Sequence, residues 1–304
     1  MNDLTEIRKA LYEQRKAFDA FIAPEREVLW RYCRRLTGSL WDGEDLVQEA
    51  LIRAFGGLTL HWSPVAPRAY LFKIATRLWI DRQQKGSLDE VSLLEDDAIM
   101  EPEEGLSEEG LKAIGLMVAT LPPRQRVVFL LTQAFEFTAA EVGEMLEISE
   151  GAVKASLHRA RRSLSSPVAA VKTYAVPPVL EQFVDAFNRK DIDALCALFK
   201  EDVSIDIVGM AEEHGRDQLK GSSVKYTLED EDANEAVVFR FQEEPVVLLL
   251  KHLADGSKAV SEVILVTECG GEVAFMRTYY FCPQVIAEVA EAFGIPSLSH
   301  GYHS

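Results

Sequence analysis

The stretch from Thr138 to Leu164, TAAEVGEMLEISEGAVKASLHRARRSL, constrains the fold more than any other part of the chain. Thr138 followed by Glu141 is the spacing of a capping box, and Ser149 is placed to cap a second helix. Apolar residues recur at intervals of three and four, so they face partner helices; they are Val142, Met145, Leu146, Ile148, Val153, Leu157, Ala160 and Leu164. The pattern predicts a helix-turn-helix.

The second of these helices carries mostly basic side chains on its remaining faces. A short helix with an apolar inner stripe and a basic outer face is suited to the major groove of DNA. The alternative is a solvated helix that happens to be basic, but cap, turn and charge all agree with DNA binding. The outward residues are Glu150, Lys154, Ala155, His158, Arg159, Arg161 and Arg162.

The overall charge argues against a protein that binds DNA alone. The 304 residues include 32 basic and 49 acidic side chains, for a net charge of −17, whereas a freestanding nucleic-acid binder is usually basic. Residues 1–85 and 111–175 are each mildly basic, while residues 86–110 carry −10 and residues 176–304 carry −13. The whole molecule should repel DNA at long range. We therefore expect it to meet DNA with the help of a partner.

The length and composition of the chain predict a cytoplasmic protein of two or three domains. No apolar run reaches the length of about 18 residues that a membrane span needs, and the N-terminus is an amphipathic charged helix rather than a signal peptide. The cysteines lack metal-site spacing and are expected to be buried thiols; they are Cys33, Cys196, Cys269 and Cys282. We expect no metal site and no cofactor.

The first 85 residues have helical periodicity throughout. A first helix is predicted to end near Ala23, with Pro24 beginning a second that runs to about Leu40. Trp41–Phe55 is predicted as a third helix capped by Asp42, with a buried stripe of Leu46, Val47, Ala50, Leu51 and Phe55. Gly56 to Pro67 is predicted as a non-helical connection, and a last helix follows from Arg68 to Lys85.

That last helix interleaves Tyr70, Phe72 and Trp79 with cations. Such a combination suits single-stranded nucleic acid, because rings stack on bases while cations hold phosphates. The alternative is an ordinary basic helix whose aromatics are all core. The preceding loop, with His61 and Trp62 near prolines, could hold a flipped base.

Three segments in this order resemble a known family. EDLVQEALIRAF, then AYLFKIATRLWIDR, then LPPRQRVVFLLTQAFEFTAAEVGEMLEISEGAVKASLHRARRSL is similar to the extracytoplasmic function (ECF) group of bacterial RNA polymerase sigma factors. The resemblance covers about residues 10 to 165. It implies a sigma-2 domain that binds core polymerase and the −10 promoter element, and a sigma-4 domain that reads the −35 element.

The resemblance also implies roles for particular residues. Asp45, Leu46, Val47, Gln48 and Glu49 would bind the clamp helices of the β′ subunit, and the sigma-4 domain would meet the β flap. Contacts to the −10 element would come from His61, Trp62, Arg68, Tyr70, Lys73, Arg77 and Arg82. Contacts to the −35 element would come from Glu150, Lys154, His158, Arg159 and Arg162. The chain departs from the family pattern at three positions, which hold Arg77 for asparagine, Ala139 for tyrosine and Glu147 for the turn glycine.

The acidic segment 86–110 is expected to be a flexible linker. The alternatives are a merely solvating tether and, by the resemblance, a connector that threads the RNA channel of the polymerase. The predicted domains are thus 1–85 (sigma-2), 86–110 (linker), 111–166 (sigma-4), 167–176 (linker) and 177–304 (C-terminal).

The C-terminal region has two predicted helices broken near residues 188–191, then strands, then a helix from Pro283 to Phe293. Asp255-Gly256 and Gly270-Gly271 mark hairpin turns. The order predicts an α+β domain and is similar to the SnoaL-like, nuclear-transport-factor-like cone fold. Its pocket could hold a small ligand or an acid/base pair, with candidates Asp206, His214, His252 and Asp255. His300 and His303 could ligate a metal, although a frayed terminus is the simpler interpretation.

The predicted fold class is therefore multidomain, with all-α sigma-2 and sigma-4 domains followed by an α+β cone-shaped domain. The predicted function is transcription initiation without covalent chemistry, through core RNA polymerase and promoter DNA, and modulated by the C-terminal domain. Two alternatives remain. One is a helix-turn-helix regulator with a ligand-sensing domain, and the other is a SnoaL-like enzyme fused to a DNA-binding module.

Overall fold

A computed structural model describes residues 2–60, 66–86, 121–163, 176–230, 235–242, 244–298 and 300–301. It divides into a first unit that ends at Ala169 and a second that begins at Ala170. The first unit holds both predicted helical domains. The predicted linker 86–110 lies almost wholly outside the described residues.

The first helix is longer than the sequence predicted. Helix α1 runs unbroken over Asn2–Thr37 and contains Pro24, so the predicted break at Ala23 is wrong. Proline removes one helical hydrogen bond, but a single buried stripe continues on both sides of it. The stripe comprises Phe18, Ile22, Arg26, Leu29, Cys33 and Leu36, and its packing outweighs the local penalty.

Helix α2 spans Leu40–Leu60 and α3 spans Pro67–Gly86. The cap of α2 is Ser39 rather than the predicted Asp42, whose backbone N–H donates to the Ser39 hydroxyl at 3.3 Å. The predicted connection from Gly56 is helical as far as Leu60. Gly57 allows α3 to approach closely, since a Cβ there would clash with the Tyr70 hydroxyl oxygen.

Three shorter helices follow among the described residues of the first unit. They are α4 (Pro123–Gln133), α5 (Ala139–Leu146) and α6 (Glu150–Ser163). An aromatic cluster joins this part to α1 and α3, with Phe72 stacked on Tyr32 at 4.7 Å between ring centroids and Phe135 edge-on to Phe72 at 5.3 Å. Arg126 of α4 lies over the Trp79 ring at 5.2 Å and donates to the Leu36 carbonyl at 3.0 Å.

The second unit begins with α7 (Pro178–Asn188) and α8 (Ile192–Ala197). The break between them is where the sequence predicted it. Strands β1 (Phe199–Ile207) and β2 (Ala211–His214) follow. Two short helices, α9 (Arg216–Gly221) and α10 (Ser223–Glu229), come next. The sequence did not predict β2, α9 or α10, which are too short to show a clear periodicity.

Four further strands belong to the sheet, and α11 (Pro283–Phe293) follows them as predicted. The strands are β3 (Glu235–Phe241), β4 (Glu244–His252), β5 (Lys258–Cys269) and β6 (Glu272–Thr278). The sheet order is β2-β1-β6-β5-β4-β3, and every pair is antiparallel except β1 and β6. Residues of α7 and α8 pack with the sheet in one apolar core. The α+β class is confirmed.

Candidate nucleic-acid interface

The helix-turn-helix has both of the predicted caps. The Thr138 hydroxyl accepts a hydrogen bond from the Glu141 N–H at 3.2 Å, and the Glu141 carboxylate accepts one from the Thr138 N–H at 2.7 Å. These hydrogen bonds lower the pKa of Glu141, the backbone one most. Ser149 accepts from the Ala152 N–H at 3.1 Å. The turn is tight, since a Cβ at Gly143 would lie 2.9 Å from the Ile148 carbonyl oxygen.

The recognition helix α6 buries Val153, Ser156 and Ala160. Leu157 is half-buried, and the predicted Leu164 lies outside the described residues. The polar Ser156 was not predicted as an inner residue. Its small side chain lies on the same buried helix face, at the three-residue and four-residue spacing from its neighbours.

The predicted −35 residues lie together on the outside of α6. Lys154 and Glu150 form an exposed ion pair at 2.7 Å. Arg159 and Arg162 are exposed, and His158 is half-buried. Arg161 differs, because it turns back to α4 and donates to Gln133 at 2.8 Å. The outer face of α6 thus carries a row of cations, and the first of them, Lys154, already forms an ion pair with Glu150.

The predicted polymerase-binding segment lies on α2. Asp45, Gln48 and Glu49 are half-buried at the surface. Leu46 and Val47 are buried at 0% and 1% exposure, so a direct contact from these two side chains does not fit the structure; they pack α2 instead. Which partner the three polar side chains bind stays a prediction.

Glu49 is held by two cations. Its carboxylate accepts from Arg53 at 3.0 Å and from Arg82, at the far end of α3, at 2.5 Å. Partial burial raises the pKa of Glu49, but the hydrogen bonds and charges of the two arginines outweigh that effect and lower it overall. Glu49 therefore remains ionised near neutral pH and ties α2 to α3.

The predicted −10 residues are spread along α3, while His61 and Trp62 lie outside the described residues. Arg68 donates to the Phe135 carbonyl at 3.0 Å and lies over the rings of Phe72 and Phe137 at 5.7 and 5.5 Å. Lys73 is half-buried, whereas Arg77 and Arg82 are exposed.

The sequence left open whether the aromatic residues of α3 lie at the surface, where they could stack on bases, or in the core. Phe72 and Trp79 are buried at 0% and 2% exposure, so these two belong to the core. Tyr70 is half-buried, and its hydroxyl donates to the Ala54 carbonyl at 3.4 Å. Only Tyr70, of the three, keeps part of its ring at the surface.

Two of the residues that depart from the family pattern meet in the structure. Arg77 of α3 donates to the carboxylate of Glu147 in the turn between α5 and α6. Both side chains are exposed, at 50% and 72%. No sequence pattern predicted this pair, because its members are 70 residues apart.

Replacing Glu147 with glycine should leave the first unit equally stable or stabilise it by up to about 1 kcal/mol. Glu147 has φ 59° and ψ 41°, a left-handed conformation that costs a non-glycine residue about 1 kcal/mol. The exposed ion pair that is removed contributes only about 0–1 kcal/mol. Salt screens that pair, so the gain should increase with salt concentration, as measured by denaturant unfolding in a low-salt and a high-salt buffer.

The matched control is Glu144→Gly, an exposed position inside α5. Glycine in a helix interior costs about 1 kcal/mol, so this variant should be destabilised. An equal loss of stability in both variants would contradict the account of the left-handed turn.

The titratable candidates of the second unit do not form one site. Asp206 pairs with Arg277 at 2.8 Å, and His252 meets Glu235 at 2.8 Å. Asp255 accepts from the Ser257 hydroxyl at 2.6 Å within a turn. His214 lies at the exposed end of β2. None of the four lines the apolar cavity of this unit, whose one acidic side chain is Glu262.

The cysteine and histidine side chains considered in the sequence lie in different surroundings. Cys33, Cys196 and Cys282 are buried thiols as predicted, whereas Cys269 is exposed at the end of β5. Within the described residues, no three acidic, histidine or cysteine side chains are grouped as a metal site would require. His300 instead stacks on Tyr280 at 3.9 Å, and His303 lies outside those residues. No helix in the described ranges is both long and apolar enough to cross a membrane.

Comparison with known families finds two matches, in the order the sequence predicted. Residues 21–87 match the family model for sigma-70 region 2. Residues 111–164 match the family model for sigma-70, region 4. The first match contains α2 and α3, and the second contains the helix-turn-helix.

Two relatives with similar sequences are ECF RNA polymerase sigma factors. The ECF RNA polymerase sigma factor SigG of Mycobacterium tuberculosis is 32% identical over 227 residues, which cover 63% of this chain and 61% of SigG. The ECF RNA polymerase sigma factor SigL of the same organism is 31% identical over 164 residues, covering 52% of this chain and 86% of SigL. The match to SigG thus spans less than two thirds of that relative's length.

The chain is also similar to solved structures. The crystal structure of the Mycobacterium tuberculosis extracytoplasmic function sigma factor SigJ covers 86% of this chain and 95% of its own, at 22% identity and a TM-score of 0.34.

Proposed function

This chain belongs to the ECF RNA polymerase sigma factors, and on that premise we propose that it directs core RNA polymerase to specific promoters and initiates transcription in the cytoplasm. The observation that carries the proposal is the presence of regions 2 and 4 in one chain, each with cations on an outer helix face. A helix-turn-helix regulator has no need of region 2. The proposal assigns no covalent chemistry to the chain.

The proposed contacts to polymerase and to the −10 element lie on α2 and α3, and those to the −35 element lie on α6. The polar side chains Asp45, Gln48 and Glu49 on α2 bind the clamp helices of the polymerase. The exposed cations of α3, with Tyr70 and the loop of His61 and Trp62, bind the −10 element. The outer face of α6 binds the −35 element in the major groove. The sigma-4 domain also meets the β flap.

Two features support a role for the polymerase in DNA binding. The chain carries a net charge of −17, which opposes approach to DNA phosphates. In addition, several of the cations form ion pairs within the protein: Arg77 with Glu147, Arg82 with Glu49 and Lys154 with Glu150. Free protein should therefore bind promoter DNA far more weakly than its complex with core polymerase does, and equal affinity at physiological salt would argue against the proposal.

Co-purification and run-off transcription with core polymerase test the proposal directly. Asp45→Arg should weaken polymerase binding, because it places a cation in the proposed contact. Glu27→Arg, the same type of change at an exposed position of α1, should leave binding intact. Failure of the wild-type chain to bind core polymerase would favour the helix-turn-helix regulator instead.

Replacing Lys154, Arg159 and Arg162 with alanine should weaken promoter binding by the polymerase complex without weakening the binding of polymerase itself. The slope of log affinity against log salt concentration should become shallower by about 0.9 for each phosphate that the variant no longer neutralises. Filter binding or fluorescence anisotropy across a salt series measures this slope. Arg124→Ala, an exposed cation of α4 outside the proposed surface, is the control for the loss of one cation. An equal change of slope per removed cation in that variant would contradict the assignment of α6.

We further propose that the second unit modulates initiation. Residues 176–304 carry −13, whereas residues 1–85 and 111–175 each carry +3, and negative charge on the same chain would weaken the attraction of the basic faces to DNA. Truncation after Ser166 should therefore change the yield of run-off transcript. Unchanged initiation would show that the second unit has no part in it.

A further inference from the structure

The N-terminal end of α6 carries two side chains of opposite charge that meet at the surface. The Glu150 carboxylate and the Lys154 ammonium lie 2.7 Å apart, and the two side chains are 52% and 57% exposed. Residues four apart on a helix lie one above the other on the same face, so the helix itself brings the two charges together. This end of α6 therefore presents a carboxylate and an ammonium side by side.

The position of this ion pair on α6 favours contact with base edges rather than with phosphates. A recognition helix contacts base edges mainly through its N-terminal residues. Val153, Ser156 and Ala160 are buried, which fixes the side of α6 that faces outward. Gly151 is exposed in the first turn, and the absence of a side chain there lets the helix end approach a groove closely. The ion pair thus lies where a base pair would be met.

The hydrogen-bonding groups of the ion pair match those of a C·G base pair. A carboxylate only accepts hydrogen bonds, and an ammonium only donates them. In the major groove a C·G pair presents the N4 amino donor of cytosine beside the O6 and N7 acceptors of guanine. The N4 and O6 atoms are joined by a Watson–Crick hydrogen bond, so they lie about 2.9 Å apart. The Glu150 and Lys154 charged groups have nearly the same separation, 2.7 Å.

The other three base pairs fit this arrangement less well, when the first base named is the one opposite Glu150. A G·C pair places the O6 acceptor of guanine against the carboxylate and the N4 donor of cytosine against the ammonium, and a T·A pair is mismatched in the same way. An A·T pair offers the N6 donor of adenine to Glu150, but its N7 acceptor lies beside that donor, and the ammonium meets only O4 next to the thymine methyl group. The two charges therefore select both the base pair and its orientation.

The ammonium also makes it easier to bring a carboxylate to DNA. A lone carboxylate is repelled by the phosphates, whereas Lys154 compensates the charge of Glu150 at 2.7 Å. Arg159 and Arg162 follow on α6 and are exposed, so they are available to phosphates. Contacts to phosphates fix the position of a protein on DNA, and contacts to bases determine the sequence it selects.

We propose that Glu150 and Lys154 together recognise one C·G base pair of the −35 element. The Glu150 carboxylate accepts a hydrogen bond from the N4 amino group of cytosine, and the Lys154 ammonium donates to O6 or N7 of guanine. This inference rests on the proposed function of α6, to which it adds the identity of one base pair and the two side chains that determine it.

Selection from a promoter library with a randomised −35 region tests this assignment on the full chain bound to core polymerase. The wild type should enrich C·G at one position by roughly tenfold over the other base pairs. Glu150→Gln should move the preference at that position to A·T, because a glutamine amide pairs with both N6 and N7 of adenine. Glu144→Gln makes the same change at an exposed position of α5 and should keep the wild-type preference.

Exchange of the two charges gives a second test. Glu150→Lys combined with Lys154→Glu should reverse the preference to G·C at the same position. A lysine is slightly unfavourable at a helix N-terminus, so circular dichroism verifies that this variant folds, and Glu150→Gln decides the question if it does not.

Three results would overturn the proposal: a wild type without a C·G preference at any position, an unchanged preference in Glu150→Gln, or an equal shift in Glu144→Gln. The same selection with the free full chain in low-salt buffer separates this proposal from the proposed function. Failure to bind core polymerase would contradict the proposed function, whereas the base preference of the free chain would still support or overturn the roles of Glu150 and Lys154.

Discussion

Replacing Phe72 with alanine should lower the free energy of unfolding of the first unit by about 3–5 kcal/mol. The Phe72 ring is fully buried. It stacks on Tyr32 at 4.7 Å and meets Phe135 and Phe137 at 5.3 and 5.2 Å. The expected cost combines the missing apolar burial with the cavity left among rings that cannot all move inward.

The same substitution tests whether α3 and the helix-turn-helix part unfold together. Denaturant unfolding followed by circular dichroism measures the total loss of stability, and a double-mutant cycle with Phe135→Ala measures the coupling between the two rings. We expect a coupling of about 0.5–3 kcal/mol, as for residues that touch. Phe21→Ala, a phenylalanine of α1 that is 44% exposed, should change stability by less than about 1 kcal/mol. Additive effects of the Phe72 and Phe135 substitutions would contradict the packing described for the cluster.

The helix-turn-helix was predictable because its signals are local. The capping box joins Thr138 and Glu141, three residues apart, and its hydrogen bonds form as the spacing requires. Ser149 caps the next helix for the same reason. All strands of the second unit except β2 were predictable from runs of β-branched and aromatic residues. Gly256, Gly270 and Gly271, in the predicted hairpin turns, have the positive φ that those turns require.

The helix ends predicted from the sequence were wrong where tertiary packing opposes a local rule. Pro24 is a strong signal for a helix boundary, yet α1 continues through it because residues before and after it bury the same face. Gly56-Gly57 signals a loop, yet α2 continues because Gly57 lets Tyr70 pack against it. In both cases the deciding interaction comes from another helix, which a local pattern does not contain.

The partners of side chains on the candidate surfaces were the least predictable part. Arg77 and Glu147 each depart from the family pattern, but their pairing depends on how α3 meets the turn after α5. The burial of Glu262 was not predicted because this residue stands in the apolar run AVSEVILVTE, where the strand pattern dominates. An acidic residue at a core-facing position of such a run is itself a signal, since charged side chains are rarely buried without a partner.

Replacing Glu262 with glutamine should remove a pH dependence from the stability of the second unit. The unfolded chain releases this proton near the ordinary pKa of 4.5, whereas the folded chain releases it at about 7. Between these values the folded state binds more protons, so rising pH favours unfolding. The wild type should therefore lose stability relative to Glu262→Gln by an amount on the order of 3 kcal/mol over this interval.

The direction of this effect distinguishes a buried neutral acid from a carboxylate that is stabilised by a cation. A stabilised carboxylate would have a lowered pKa, and stability would then rise with pH instead of falling. Urea unfolding of the two proteins from about pH 3 to about pH 9 brackets both pKa values and measures the difference. Glu201→Gln, at an exposed glutamate of β1, is the control for removal of a carboxylate. The difference between wild type and Glu262→Gln should be constant below the pKa of 4.5, change through the interval and become constant again above the pKa of about 7. Parallel profiles would mean that Glu262 ionises in the folded protein as easily as in the unfolded chain, which would contradict its burial against Thr278 in an apolar cavity.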